Sequence, residues 1–260
     1  VEYLIKIEDI SFLSEEYSIL KDISLSIPKG ECTIIMGSSG CGKSTLLKII
    51  AGIYPPDSGK VYFEEKDMLY LSNKELQEFR KKSGFMFQDS ALWENTSIRE
   101  NISLPLKFHF KELTDEDINK KVETFVEKIG FMDSIQLRPA MLSSGEQKII
   151  SFLRANITEP EILFLDDPTD GMDNLYSRRL IEILKRKKDN KSTIIAVSHN
   201  PNLVSLLADY LIILKKGTVV EHGEFNDVKK SNNSYVKEIL SKVLGEAASY
   251  DTELLDLLNE

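Results

Sequence analysis

The chain has 260 residues, 33 basic and 42 acidic, with a formal net charge of -9; that length is ample for a buried core without covalent staples. The charge excludes a general phosphate-backbone binder, so no nucleic-acid partner is expected, and Cys32 and Cys41 are too few for a disulfide framework or zinc cluster and suit a reducing compartment. No apolar run reaches the ~20 residues that span a bilayer, and the opening "VEYLIKIEDI" lacks the basic-then-apolar order of a secretory signal, so the expectation is a soluble chain that meets membranes only through a partner.

The first thirty residues alternate apolar and polar, "YLIKIEDISF" and then "ILKDISLSIPKGE". This predicts antiparallel strands with one solvated face, turned at Pro28-Lys29-Gly30. "CTIIMG" at 32–37 is instead a continuous apolar run, as suits a parallel strand covered on both faces. It leads into "GSSGCGKST" and then the helical pattern "TLLKIIAG". Gly37, Ser38, Ser39, Gly40, Cys41, Gly42, Lys43, Ser44 and Thr45 satisfy G-x-x-x-x-G-K-[ST] between a strand and a helix. Glycines let the backbone fold round phosphate oxygens, the helix N-terminus favours negative charge, Lys43 reaches the β- and γ-phosphates, and the Ser44 hydroxyl suits Mg²⁺. A nucleoside triphosphate is the expected ligand.

From Asn101 to about Asn156 strand signals disappear, and the pairs Thr114/Asp117 and Ser143/Glu146 have the spacing of helix-capping boxes, which predicts a helical insertion. "EILFLD" at 161–166 and "STIIAVS" at 192–198 are again apolar runs followed by helical patterns, which makes them parallel strands. The first delivers two carboxylates into the turn "DDPTDGMD". A P-loop site needs an acid at the end of a neighbouring strand to hold Mg²⁺, and Asp166 fits; Asp167 then falls where a carboxylate can orient or deprotonate an attacking water. "LKRKKDNK" at 184–191 reads as the solvated end of a helix. After "VVEHGEF" the sheet pattern ends, Val236, Ile239, Leu240, Val243 and Leu244 share one helical stripe, and "ELLDLLNE" reads as a second short helix.

Taken in order, these motifs resemble those of the ABC ATPases over roughly residues 3–225. Gln88 in "FMFQDS" matches the Q-loop glutamine. "LSSGEQ" at 142–147 looks like the LSGGQ signature. "ILFLDDPTDGMD" matches the Walker B strand and D-loop, with Asp173 closing the loop. His199 in "AVSHN" stands at the H-loop position, and "KKGTVVEHG" resembles the family's closing hairpin. The resemblance implies an α/β P-loop core, a mixed sheet with an antiparallel β subdomain, made of residues 1–88 and 157–228. It also implies an inserted α-helical subdomain at 89–156, leaving 229–260 as a helical tail. It further implies ATP and Mg²⁺ as ligands, with Ser44, Gln88 and Asp166 at the metal and Asp167, His199 and Gln88 serving hydrolysis. Ser143, Ser144, Gly145 and Glu146 would act on the ATP of a second, identical subunit. The output would pass to transmembrane permease subunits at the inner face of the cell membrane.

Departures from the family pattern bear on rate and specificity. Asp167 stands where the family usually has glutamate, with roughly 1.5 Å less reach, Ser144 replaces a signature glycine, and Ile149 stands where many relatives have arginine. The adenine-stacking aromatic would fall near Ser14; Tyr17 is a candidate substitute, beside its reading as a packed surface tyrosine, so the stacking residue stays open. These changes keep open an ATP-gated scaffold with little hydrolysis, beside a non-transport switch that drives a membrane partner. More narrowly, residues 85–108, "FMFQDSALWENTSIRENISLPLKF", look like the corresponding stretch of Mla-type ATPases that move phospholipids; lipoprotein-releasing and methionine-import ATPases carry similar text. Ala91, Leu92, Trp93 and Ile98 are its candidate permease contacts.

Overall fold

Alternation in the first thirty residues does produce a hairpin: β1 (Tyr3–Ser14) pairs antiparallel with β2 (Tyr17–Pro28), burying Ile5, Ile7, Leu20 and Ile23. The two strands connect through residues 15 and 16 and not through Pro28-Lys29-Gly30. That second turn instead leads from β2 into β3 (Cys32–Gly37), all of whose residues are buried. Proline ends β2 because it offers no amide to continue a ladder. The computed structural model describes residues 2–14 and 17–257, with side chains through residue 245. Within it the chain divides into two compact units, residues 1–71 with 195–260, and residues 72–194.

In the first unit, β1 also pairs antiparallel with β4 (Ser58–Phe63), and β4 with the two-residue β5 (Lys66–Asp67), after the helix α1 (Lys43–Ile50) that follows the glycine-rich loop. β8 (Thr193–Val197) brings the chain into this unit, followed by α7 (Pro201–Leu207) and the hairpin of β9 (Tyr210–Lys215) and β10 (Thr218–Glu224). β9 lies parallel to β3, with Gly37 paired to Leu214. A short α8 (Phe225–Val228) precedes α9 (Ser234–Leu257). The expected stripe holds at four of its five positions, since Val236, Ile239, Leu240 and Val243 are all buried, while Leu244 is only half-buried. The separate final helix does not form: α9 runs unbroken to Leu257, because nothing between 245 and 253 stops it, and residues 258–260 lie outside the described chain.

The second unit opens with α2 (Asn73–Lys82) and β6 (Ser83–Met86), and β6 runs parallel to β7 (Ile162–Asp166). Between these strands lie α3 (Ile98–His109), α4 (Asp115–Ile129) and α5 (Ser144–Asn156); α6 (Asn174–Asp189) follows β7. Thr114/Asp117 and Ser143/Glu146 close reciprocal capping boxes, as their spacing predicts, each worth about 1 kcal/mol. Ile98, Ile102, Val122, Val126, Ile149 and Leu153 join in one core, at roughly 1.5–3 kcal/mol per buried side chain. Ile98 is therefore not a surface contact, a correction that its place at the head of an amphipathic helix explains. Among the described residues no helix is long and apolar enough to cross a membrane.

Candidate active site

In the first unit, Gly37 ends β3 and Lys43 begins α1, so residues 38–42 link the carboxyl end of a parallel strand to a helix N-terminus. Gly40 and Gly42 have φ of 72° and 103°, the left-handed region that favours glycine. A Cβ on Gly37 would lie 2.2 Å from the Leu214 carbonyl oxygen, and one on Gly42 2.7 Å from the Leu20 side chain, so only glycine permits these approaches. No side chain caps α1 and no acidic residue stands in its first turn, which leaves the positive end of the helix dipole to an outside anion. Lys43, only 8% exposed, donates from Nζ to the carbonyls of Gly37 and Ser38 at 3.0 Å each. An ammonium has three donors, so one is left to point at phosphate. Loop, helix end and lysine together fit a polyphosphate.

His199 belongs to the same unit, two residues beyond β8. Asn200 caps α7 by accepting from the Leu203 amide at 2.9 Å, and the Asn200 amide donates to the Ser198 hydroxyl at 3.1 Å. The histidine is thus pinned between a strand end and a helix cap. Partial burial lowers its pKa below the usual 6.5, and the Lys43 charge lowers it further. Tyr17, at the head of β2, is 78% exposed, with a flat face available to stack on a ring.

In the second unit, Met86 pairs with Leu165, so Gln88 just beyond β6 and Asp166 at the end of β7 leave the same end of a parallel strand pair. Asp166 is buried and Gln88 exposed. Asp167 takes φ 44°, a left-handed conformation, and its carbonyl accepts from the Lys148 ammonium at 2.8 Å and from the Asp170 amide at 3.3 Å. Lys148, on α5, is 8% side-chain exposed and also lies 3.8 Å from the Asp170 carboxylate. Burial lowers its pKa, and Asp170, Asp167 and Asp166 pull it back up.

The signature residues sit at the start of α5. Ser143 is the N-cap, and its hydroxyl and amide both donate to the Glu146 carboxylate at 2.8 Å. Ser144 is exposed, while Gly145 is buried so closely that a Cβ would lie 2.7 Å from the Gly171 carbonyl oxygen. The glycine therefore lets the signature helix meet the turn after Asp167. Asp173 accepts from the Tyr176 amide at 2.8 Å and caps α6.

Three contributors to these sites have no motif to announce them. Lys148 directly follows "LSSGEQ", and its one signal is a lone charge opening the apolar run "KIISFL". Arg154, six residues on along α5, donates to the carbonyls of Ser90 and Ala91 at 2.8 Å, fixing the turn after Gln88 where both residues have positive φ. Tyr235 accepts from the Ser38 amide across 197 residues of chain, a separation at which local pattern carries no information. Beside them, buried Asn101 bonds Trp93, Thr96 and Ser97, organising a loop that holds Trp93 58% exposed.

Comparison with known proteins bears on the whole chain. A family profile described as ABC transporter matches residues 20–170. The intermembrane phospholipid transport system ATP-binding protein MlaF of Haemophilus influenzae is 32% identical over 238 residues, covering 91% of this chain and 90% of the relative. MlaF of Escherichia coli K12 is 30% identical over 244 residues, covering 94% and 90%. The methionine import ATP-binding protein MetN 2 of Bacillus cereus is 30% identical over 234 residues, covering 88% of this chain and 68% of the relative. Among solved structures, the dimeric post-hydrolysis state of the ATP-binding cassette MJ0796 bound to ADP and Pi superposes with a TM-score of 0.78 at 29% identity, covering 85% of this chain and 98% of the other. Fold, motif order and these likenesses lead to one assignment: the chain belongs to the ABC transporter family, as the ATPase subunit of a transporter.

Proposed function

We propose that this chain hydrolyses ATP in a dimer closed around two nucleotides and drives a permease that moves phospholipid. The observation that carries the lipid reading is the likeness to MlaF, which covers 91% of this chain and 90% of the relative, against 68% of the methionine importer at similar identity. Residues 85–108 support the permease contact, because Asn101 ties down the backbone of the loop that carries exposed Trp93.

In this reading residues 37–45 cradle the phosphates, with Lys43 on the β- and γ-phosphates. Ser44, Asp166 and Gln88 would hold Mg²⁺, which when bound neutralises charge on the phosphate oxygens. Asp167 orients water for attack on the γ-phosphorus and takes up its proton as the bond to the β-phosphate oxygen breaks. His199, kept neutral by burial and by Lys43, contacts the γ-phosphate. Residues 143–146 complete the nucleotide site of the second subunit, and the helical insertion at 89–156 carries opening and closing to the permease.

Expression in membranes, co-purification of the permease and mass spectrometry of bound lipid test the cargo. Phospholipid in the complex and lipid-stimulated phosphate release are expected. A complex that retains methionine, hydrolyses faster with it and ignores phospholipid would sink the lipid reading and favour the importer. Calorimetry of Lys43→Ala tests the nucleotide site: tight Mg·ATP binding should be lost with the fold intact.

A further inference from the structure

The C-terminal helix reaches the nucleotide-binding loop through one hydroxyl. Tyr235, in the first turn of α9, accepts from the Ser38 amide at 3.1 Å and donates to the Leu214 carbonyl at 3.1 Å, with the Ser38 hydroxyl 3.4 Å away. The far side of that Gly37–Ser38 peptide unit is also engaged, because the Gly37 carbonyl accepts from Lys43 Nζ at 3.0 Å. Leu214 is the β9 residue paired with Gly37, and its carbonyl is the atom that forbids a side chain there. Tyr235, Leu214, Ser38 and Lys43 thus form one chain of contacts from α9 to the phosphate-binding lysine.

The tyrosine is itself held at several points. Its amide donates to the Asn233 side chain at 3.0 Å, the Lys215 ammonium lies 4.5 Å from its ring centroid, and Val236, Ile239, Leu240 and Val243 bury the face of the helix behind it. Ser38 by contrast is exposed and lies beyond the last ladder position of β3. Without Tyr235 its amide would lose this partner, and the Gly37–Ser38 peptide plane would be freer to turn the Gly37 carbonyl away from Lys43.

We infer that Tyr235 is a positioning residue for nucleotide binding: its hydroxyl fixes the Gly37–Ser38 peptide, and the carbonyl of that peptide seats the Lys43 ammonium. The inference rests on residues 37–45 being the phosphate-binding loop. It gives the C-terminal helix a role, since docking of α9 and occupation of the loop by nucleotide must favour each other by the same factor.

Tyr235→Phe removes the hydroxyl and keeps the ring. A hydrogen bond of ordinary net strength corresponds to roughly 2–12-fold in affinity, so Mg·ATP should bind the Phe variant about 3–10-fold more weakly by calorimetry. Exchange of the Ser38 amide should quicken in that variant, and Mg·ATP should slow amide exchange across residues 235–243 in the wild type. Val228→Ala is the control, because it loosens packing in α8 and leaves α9 and the hydroxyl in place: its melting temperature should fall while its Mg·ATP affinity stays near wild type. Equal affinity in Tyr235→Phe and wild type overturns the inference, as does an equal loss in Val228→Ala. Failure of the wild type to bind Mg·ATP overturns the phosphate-loop reading instead.

Discussion

At φ 44° Asp167 occupies a conformation that costs a non-glycine residue about 1–2 kcal/mol, and its neighbours hold it there through its own carbonyl. A strained, anchored backbone carrying a short carboxylate is what a water-orienting acid with reduced reach would look like. Asp167→Asn should keep ATP binding and lower phosphate release by ~10²–10⁴-fold. Asp166→Asn should weaken Mg²⁺-dependent binding instead. Asp167→Glu should raise turnover, and unaltered hydrolysis in Asp167→Asn would make it an ordinary loop acid. If His199 contacts the γ-phosphate as proposed, it should set the pH dependence. Its pKa lies below 6.5, so it stays neutral where an ordinary histidine is half protonated, and the acid limb of the hydrolysis profile should fall below pH 6.5. Stability follows the same sign: it is full above pH 6.5 and declines as pH falls toward the lowered pKa, because the unfolded chain takes up the proton first. An acid limb above 6.5 would remove His199 from that profile.

Among the elements, α5 has the densest set of duties. Ser143, just before it, caps it, Gly145 admits the turn after Asp167, Lys148 bonds the Asp167 carbonyl, and Arg154 fixes the turn after Gln88. The Asp170 carboxylate beside Lys148 is 73% exposed and adds little, so the buried amine acts mainly through the Asp167 carbonyl. Lys148→Met keeps the length and removes that donor. A hydrogen bond from a charged donor is worth about 1.5–3 kcal/mol, and steady-state kinetics should show at least ~10-fold slower turnover with little change in the ATP requirement. Unchanged turnover would reduce the lysine to packing.

The helices and buried strands were legible because their signals are dense. Two capping boxes and three continuous apolar runs lie where the pattern puts them. Residues 51–86 were not, and β4 shows why: of its six residues only Val61 is buried, so no period-two stripe marks it. The hairpin turn went to Pro28-Lys29-Gly30 because proline and glycine punctuate chains strongly, yet there they mark the passage into β3. The P-loop was readable as one continuous stretch, whereas Lys148 and Tyr235 gain their significance only from what folding brings to them.

For the molecule as a whole, nucleotide and assembly should be linked. Light scattering with a slowly hydrolysed ATP analogue should report a dimer, and Ser143→Arg should prevent it by filling the space the opposite γ-phosphate needs; an unchanged ATP-induced dimer would exclude the sandwich. Glu146 makes this closure conditional, since a carboxylate already occupies the helix end on which the second phosphate would settle. The exposed loop at Trp93 has an optical consequence. This is the single tryptophan of the chain, so all indole emission originates in that loop, and ultraviolet excitation alone turns the unlabelled protein into a sensor of whatever covers it.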